Sequence, residues 1–458
     1  MPSDSDVSTT ANAAPAEDFK DLCVGCINPR VLVEVTLGRK VDWNKVNTKQ
    51  FISDTLGKQY DELFDLRHGS PLYAGLKLNP DHKTVVRAES AELKILEDTY
   101  SATPNLSVVK KLQDLGLIGV TDADSIPISQ AWLTNGKLNL QLDIAELNRT
   151  TSNLNLTKPM ASFVLGGNLS QAEAAIGEWN PPNAMWKDVG DFERDVAEMD
   201  DPIQGAIGDC WLIAALSAVA WALPYSIIHR TRSTGSSDNN HVSQLTFYHQ
   251  GGDRDAATGA VDVTDRVLVN NVSNSIIYAR SRDAGELWPA LYEKAFAKWS
   301  TSNGTDKPDI TTLQGGDCVK SIAQLTDRRP VYYKTSDNTP DKILGLVRAN
   351  SRGRKTFNPM TAWTYPSGKI YNGSDIVAWH CYTILGWTLE GNKNYIVLRN
   401  PWGFNEPAGS TTFQGVVSFF DENFWRPISM ISGDGIFALE ASAFQEYYAG
   451  LGVAVPKD

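Results

Sequence analysis

The chain has 458 residues, room for about two or three domains, with 42% hydrophobic residues and a net charge of −12. That balance excludes the basic face that nucleic acid demands, and no run reaches the ~20 apolar residues of a membrane helix. No signal peptide opens the chain. Its five cysteines, few and odd in number, suit a reducing compartment, so a cytoplasmic protein with no nucleic-acid, membrane or cofactor partner is expected.

Residues 1–18 are rich in Ser, Thr, Ala and Pro and read as a disordered tail. Residues 19–185 form an N-terminal region with no recognisable motif. Within it Val31-Leu32-Val33-Glu34-Val35 reads as a strand, Thr48–Phe64 and Val108–Leu115 as helices, and Leu138–Leu142 as a strand. Cys23-Val24-Gly25-Cys26 lacks the second ligand pair that zinc needs, so unligated thiols are expected there. Trp179-Asn180-Pro181-Pro182-Asn183 reads as a hinge into the next region.

Gln204-Gly205-Ala206-Ile207-Gly208-Asp209-Cys210-Trp211 then runs into a segment that is apolar at nearly every position until Pro224 stops it. A helix apolar all round is a buried one. Gly208-Asp209 supplies the bend and a cap, which sets Cys210 at the helix N-terminus. Unpaired amides and the macrodipole favour an anion there, and a thiol of ordinary pKa ~8.5 is lowered in such a place. A lone buried Cys more often only packs, but packing does not call for the Gln and glycines ahead of it. The Gln204 amide can point beside the thiolate and, with the Cys210 N–H, form an oxyanion hole worth roughly 2.7–4 kcal/mol per donor. Gly205 and Gly208 let the backbone approach a substrate.

Trp288, Leu291, Tyr292, Ala295 and Trp299 recur at helical spacing and predict an amphipathic helix. Val377–Trp387 reads as a strand, Gly391–Asn394 as a turn and Tyr395–Leu398 as the returning strand. Such a hairpin sets His380 beside Asn400, whose side-chain oxygen can accept the ring N–H and fix its tautomer without adding charge. Trp402 would cover that bond. His68, His82, His229, His241 and His249 have no comparable partner in sequence, and no metal site is expected among them.

Three motifs in order resemble the protease core of the calpain family: Gln204-Gly205-x-x-Gly208-Asp209-Cys210-Trp211, the run Glu286–Lys298 with Leu313-Gln314-Gly315-Gly316 after it, and Arg399-Asn400-Pro401-Trp402-Gly403. The similarity spans about residues 191–437. It implies an α+β, papain-like fold of two lobes, with a helical lobe at 186–345 carrying Cys210, a β-rich lobe at 346–442 carrying His380 and Asn400, and a tail at 443–458. Two positions depart from the family pattern: Trp379 stands where Gly is usual, and Cys381 where Ala is usual. A bulky Trp379 would narrow the cleft. The family's two calcium sites look dismantled, because Asp201 and Glu406 each match one ligand while the expected partners fall on Ala323 and on 411–416. Calcium takes about six to eight hard oxygens, so a core without metal or calcium switch is expected.

The resemblance implies a cysteine-type endopeptidase acting on protein or peptide substrates. Cys210 would be nucleophile, His380 proton carrier, Asn400 its orienter and Gln204 an oxyanion donor, with Gly208, Trp379 and Trp402 lining or shielding the cleft. Two alternatives stay open: a catalytically silent scaffold of the same fold, and another acyl transfer by the same residues.

Overall fold

A computed structural model describes residues 13–14, 27–37, 39–56, short strands at 76–78, 84–87, 125–127, 133–134 and 137–138, and 184–457 except 194–195, 238–239, 252–254, 271–272, 303, 314, 367 and 421–424. The expected tail apart from 13–14, the CxxC pair, the helix at Val108–Leu115 and the hinge at Trp179–Asn183 lie outside these residues, as do most of Leu138–Leu142 and the second half of Thr48–Phe64. The architecture is mixed α+β. No helix among the described residues is long and apolar enough to cross a membrane.

The Cys210–Ala222 helix lies at the centre, and every residue of it but Ala222 is buried. Its apolar surround comes from two directions. On one side stands the Trp288–Ser300 helix, whose Phe296 meets the Trp211 ring edge-on at 5.5 Å. On the other lies an eight-stranded sheet. Its strands run in the order Arg329–Lys334, Tyr448–Val455, Lys355–Thr364, Cys381–Glu390, Lys393–Arg399, Ile436–Glu440 and Thr412–Phe413, with Ser351–Arg352 paired off this path. Neighbours in that order are antiparallel.

The helix does not merely rest on the sheet. Thr383 Oγ1 donates to Ala214 O at 2.8 Å, Trp221 Nε1 to Leu385 O at 2.7 Å and Lys355 Nζ to Trp221 O at 2.7 Å. Arg399 Nη1 donates to Ser217 Oγ at 2.8 Å. These groups are buried, where a lost partner costs about 1–3 kcal/mol and more for a charged one. They therefore fix the helix in one register on the strands.

Three expectations are corrected. Val31–Val35 belongs to a helix, Pro29–Leu37, because Asn28 heads it and Pro29 takes the first position, where its missing N–H costs nothing. The C-terminal residues are no tail: Ala441–Tyr447 is a helix and Tyr448–Val455 is an interior strand. Small residues allow this, since a Cβ on Gly452 would lie 2.4 Å from a methyl of Val319 on the Cys318–Thr326 helix. Finally, the sheet starts before residue 346, with Arg329–Lys334. The hairpin is as expected in outline, its strands running Cys381–Glu390 and Lys393–Arg399 around a tight turn at Gly391.

Candidate active site

Cys210 is the first residue of its helix and fully buried. Asp209 takes the cap position but not the capping role: its side chain makes no cap bond, and its main-chain carbonyl accepts from Leu212 at 2.8 Å and Ile213 at 3.2 Å. Its carboxyl turns instead to Glu293 of the Trp288–Ser300 helix. Burial, and then their mutual charge, push the Glu293 carboxyl well above the usual range, and burial likewise raises Asp209. Both Glu293 oxygens accept the Ala279 N–H at 3.1 Å. Two carboxyls so buried and so close favour one shared proton over two negative charges. Such a proton also leaves Asp209 without a negative charge to oppose a thiolate beside it.

Gln204 is fully buried in the loop ahead of Cys210. Its Nε2 donates to Ile207 O at 2.7 Å, which orients the amide. Gly205 is required by close approach, since a Cβ there would lie 2.2 Å from the Tyr278 carbonyl. Gly208 O accepts the Gly315 N–H at 2.9 Å, and Gly316 leaves room for the Trp211 indole.

On the sheet side His380 precedes the Cys381–Glu390 strand and Asn400 follows Lys393–Arg399. Both are fully buried, and His380 Nε2 lies 2.9 Å from Asn400 Oδ1. That oxygen also accepts the Trp402 N–H at 3.0 Å, so it is an acceptor and Nε2 carries the proton. Thr364 holds the His380 main chain, its Oγ1 accepting the His380 N–H at 2.9 Å. The His380 ring packs edge-on against Tyr382 at 5.0 Å and tilted against Trp402 at 5.1 Å. His380 Nδ1 makes no hydrogen bond. Trp379, just before the histidine, sits at φ 52°, a left-handed conformation that glycine adopts without cost.

The thiol and the imidazole are thus carried by two parts of the molecule locked together around one helix, a layout that can be compared with known proteins. The family model described as "Calpain family cysteine protease" matches residues 158–454. The chain belongs to the calpain family. A thiol protease of Porphyromonas gingivalis (strain ATCC BAA-308 / W83) is 27% identical over 448 residues, covering 93% of this chain and 86% of that protein. The calpain-1 catalytic subunit of Sus scrofa is 27% identical over 252 residues, and that of Homo sapiens 26% over 239. Against these two the chain spans about a third of the relative's length, 33% and 31%. The match opens well before the 191–437 stretch on which the motifs stand. Family membership implies a cysteine-type peptidase with protein substrates.

The calcium sites implied by the resemblance need a correction. Ala323, where a glutamate was expected, is buried in the Cys318–Thr326 helix and offers no ligand. Asp201 is nevertheless not alone, because ligand oxygens of Asp201, Asp283 and Glu286 lie within 4.8 Å of one another. Burial chiefly, with the charges of Glu286 and Asp200 adding, raises Asp201 to about 7, although the Glu198 N–H and the Trp288 indole at 3.0 Å both donate to it. These three carboxylates offer hard oxygens toward the about six to eight that calcium takes. At Glu406, burial and then nearby Asp434 raise the pKa, and Oε1 accepts the Gly435 N–H. No cluster of three forms around Glu406 among the described residues. Asp283 and Glu286 were legible only in part: Glu286 opens the helix motif, but nothing in sequence showed that Trp288 would tie that helix to Asp201.

Proposed function

We propose that the protein is a papain-like cysteine endopeptidase whose helical lobe carries Cys210 and whose β-rich lobe carries His380 and Asn400. The observation that carries this reading is the bond between His380 Nε2 and Asn400 Oδ1, with the acceptor role of that oxygen set by the Trp402 N–H. With the proton on Nε2, Nδ1 presents a lone pair and is the base. The Cys210 S–H gives its proton to Nδ1, and the thiolate attacks the peptide carbonyl carbon. As the C–S bond forms, the carbonyl electron pair moves to oxygen, where the Cys210 N–H and the Gln204 side-chain amide stabilise it. Collapse expels the amine, which takes the proton from Nδ1. Water then attacks the thioester with His380 again as base, and the acid leaves with the thiol restored.

Trp402 and Tyr382 keep water from the imidazole–amide bond. Trp379 borders the site, and its side chain would restrict bulky residues near the scissile bond. The expectation of a core without a calcium switch rested on one matched acid per site. That premise fails at Asp201, so Asp201, Asp283 and Glu286 are read as the place that would hold calcium, which would supply local charge neutralisation. No proton-transfer step needs it.

The test is labelling by an epoxide or vinyl-sulfone peptide probe. Covalent labelling at Cys210 that disappears in Cys210→Ala supports the peptidase, and labelling that persists on Cys318 or Cys381 overturns the assignment. A second reading draws on the full burial of both Cys210 and His380: the same fold in a covered, catalytically silent state. A native chain that neither labels nor cleaves any protein, yet labels at Cys210 after limited proteolysis, would mark that state. Transfer of the acyl group to an added amine in preference to water would instead mark a different acyl transfer by the same residues.

A further inference from the structure

Asn28 lies far from the motifs in sequence and is 1% exposed. Its Nδ2 has two hydrogens, and both are used: one goes to Gln204 O at 2.9 Å and the other to Trp402 O at 3.2 Å. The Asn28 main-chain N–H donates to Gly205 O at 3.2 Å, and its Oδ1 accepts the Arg30 N–H at 3.1 Å. One buried amide therefore joins the loop bearing the oxyanion donor to the loop bearing Asn400 and Trp402. Those loops touch each other directly through Gln204 N–H and Pro401 O at 2.9 Å.

The residues after Asn28 span the same junction. Glu34 accepts from Arg280 at 2.9 Å on the thiol side, and also from the Trp43 indole at 3.0 Å. Val33 and Ile52 pack with Val377, Trp402 and Phe404 on the imidazole side, where the Arg30 guanidinium stands 4.1 Å over the Phe404 ring. Trp402 is the ring that covers His380, so this segment backs the cover itself.

We propose that Asn28 is a positioning residue of the peptidase, and that the two helices at 29–37 and 48–56 form a strap across the loops that carry Gln204 and Trp402. It rests on the peptidase reading above. The chemistry follows from geometry: a misplacement of about 1 Å at the reacting groups can cost 10²-fold in rate. A side chain that sets the spacing of two site loops acts on turnover without touching substrate.

The experiment compares full-length wild type with Asn28→Asp and Asn28→Ala. Asp keeps the shape but turns both donors into acceptors facing carbonyls. Lys49→Ala, which removes an exposed ion pair of the same strap with Asp375, is the control. Readouts are kcat and KM on a peptide substrate, the thermal midpoint, and amide hydrogen exchange resolved by segment. The expected result is a fall in kcat of roughly tenfold or more in both Asn28 variants with KM within about twofold, and none in Lys49→Ala. Exchange should rise at 204–208 and 400–404 while the Lys393–Arg399 strand stays protected. Unchanged kcat, or activity lost only in proportion to folded protein, overturns the proposal. Should wild type neither cleave nor label, the peptidase reading fails by itself. The exchange pattern then decides the strap: a rise confined to the two loops supports it, and unchanged loops overturn it.

Discussion

The two sides of the site solve burial differently. On the imidazole side the orienting groups are neutral: an amide oxygen, a hydroxyl, a main-chain N–H and two aromatic faces. On the thiol side Asp200, Asp201, Asp209, Glu286 and Glu293 are all buried, and each charge needs an answer. Burial pushes Asp200 up, yet Arg426, Arg399 and Arg282 together outweigh it and hold it below its ordinary value. Asp209 and Glu293 answer with a proton. Asp201, beside exposed Asp283, is open to a cation. Geometry on the first side is set by packing, while the second side is where pH and ions act.

The comparison breaks first on activity. On the proposed mechanism His380→Ala should cost about 10²–10⁴ in kcat, and Cys210→Ala should abolish acylation altogether. Asn400→Ala should cost less, because Trp402 and Tyr382 still hold the ring. Steady-state kinetics on one peptide would check the order, and equal losses from Asn400 and His380 would give the amide a structural role beyond orientation.

The next largest effect concerns stability and pH. Because burial raises Asp209 and Glu293, the folded state keeps a proton that the unfolded chain loses near pH ~4. Stability should then decline as pH rises from that range toward neutrality, by about 1.4 kcal/mol per pH unit for each proton so held. Asp201, Asp265 and Asp317 are raised in the same direction and add to the slope. Glu293→Gln, which carries a permanent N–H toward Asp209, should flatten the midpoint-against-pH curve. A curve unchanged in slope would deny the shared proton.

Calcium comes third. If Asp201, Asp283 and Glu286 hold the ion, calcium at 10 to 100 times its dissociation constant should raise stability by roughly 1–3 kcal/mol. Glu286→Gln should remove that shift and Glu406→Gln should leave most of it. Thermal melts with calcium and with chelator would show this, and an equal loss in both variants would return the ion to both sites.

The smallest effect tests the one strained position beside the histidine. Trp379→Gly relieves a left-handed conformation worth about 1–2 kcal/mol, against the entropy of a new glycine at about 0.5–1 kcal/mol. Net stability should move by less than about 1 kcal/mol, while KM for peptides with bulky side chains next to the scissile bond should fall. A KM that does not move would take Trp379 out of specificity.

By itself the sequence determined the local pieces of this protein. An apolar run with a glycine-rich lead-in can only be a buried helix, and Cys210 stands at its start wherever that helix packs. The hairpin that carries His380 and Asn400 is nearly as local: its tight turn sets the register as far as Gly386, where a bulge shifts the pairing toward the site. Tertiary structure decided what depends on distant partners. Val31–Val35 has strand-forming residues yet became helix, since Asn28 and Pro29 start it and the faces of Trp402 and Phe404 receive it. The last strand looked like a tail because its glycines have no side chains to signal burial, although their smallness is what lets a helix lie against it. Asp209 looked like a cap, but Glu293 lay within reach only after the Trp288–Ser300 helix had packed. Asp201 gained Asp283 and Glu286, and Asn28 gained two loops, through contacts whose sequence separation no spacing pattern records. Hydrophobic periodicity and turns act over a few residues, whereas the pairing of buried polar groups is settled only when the whole chain has excluded water around them.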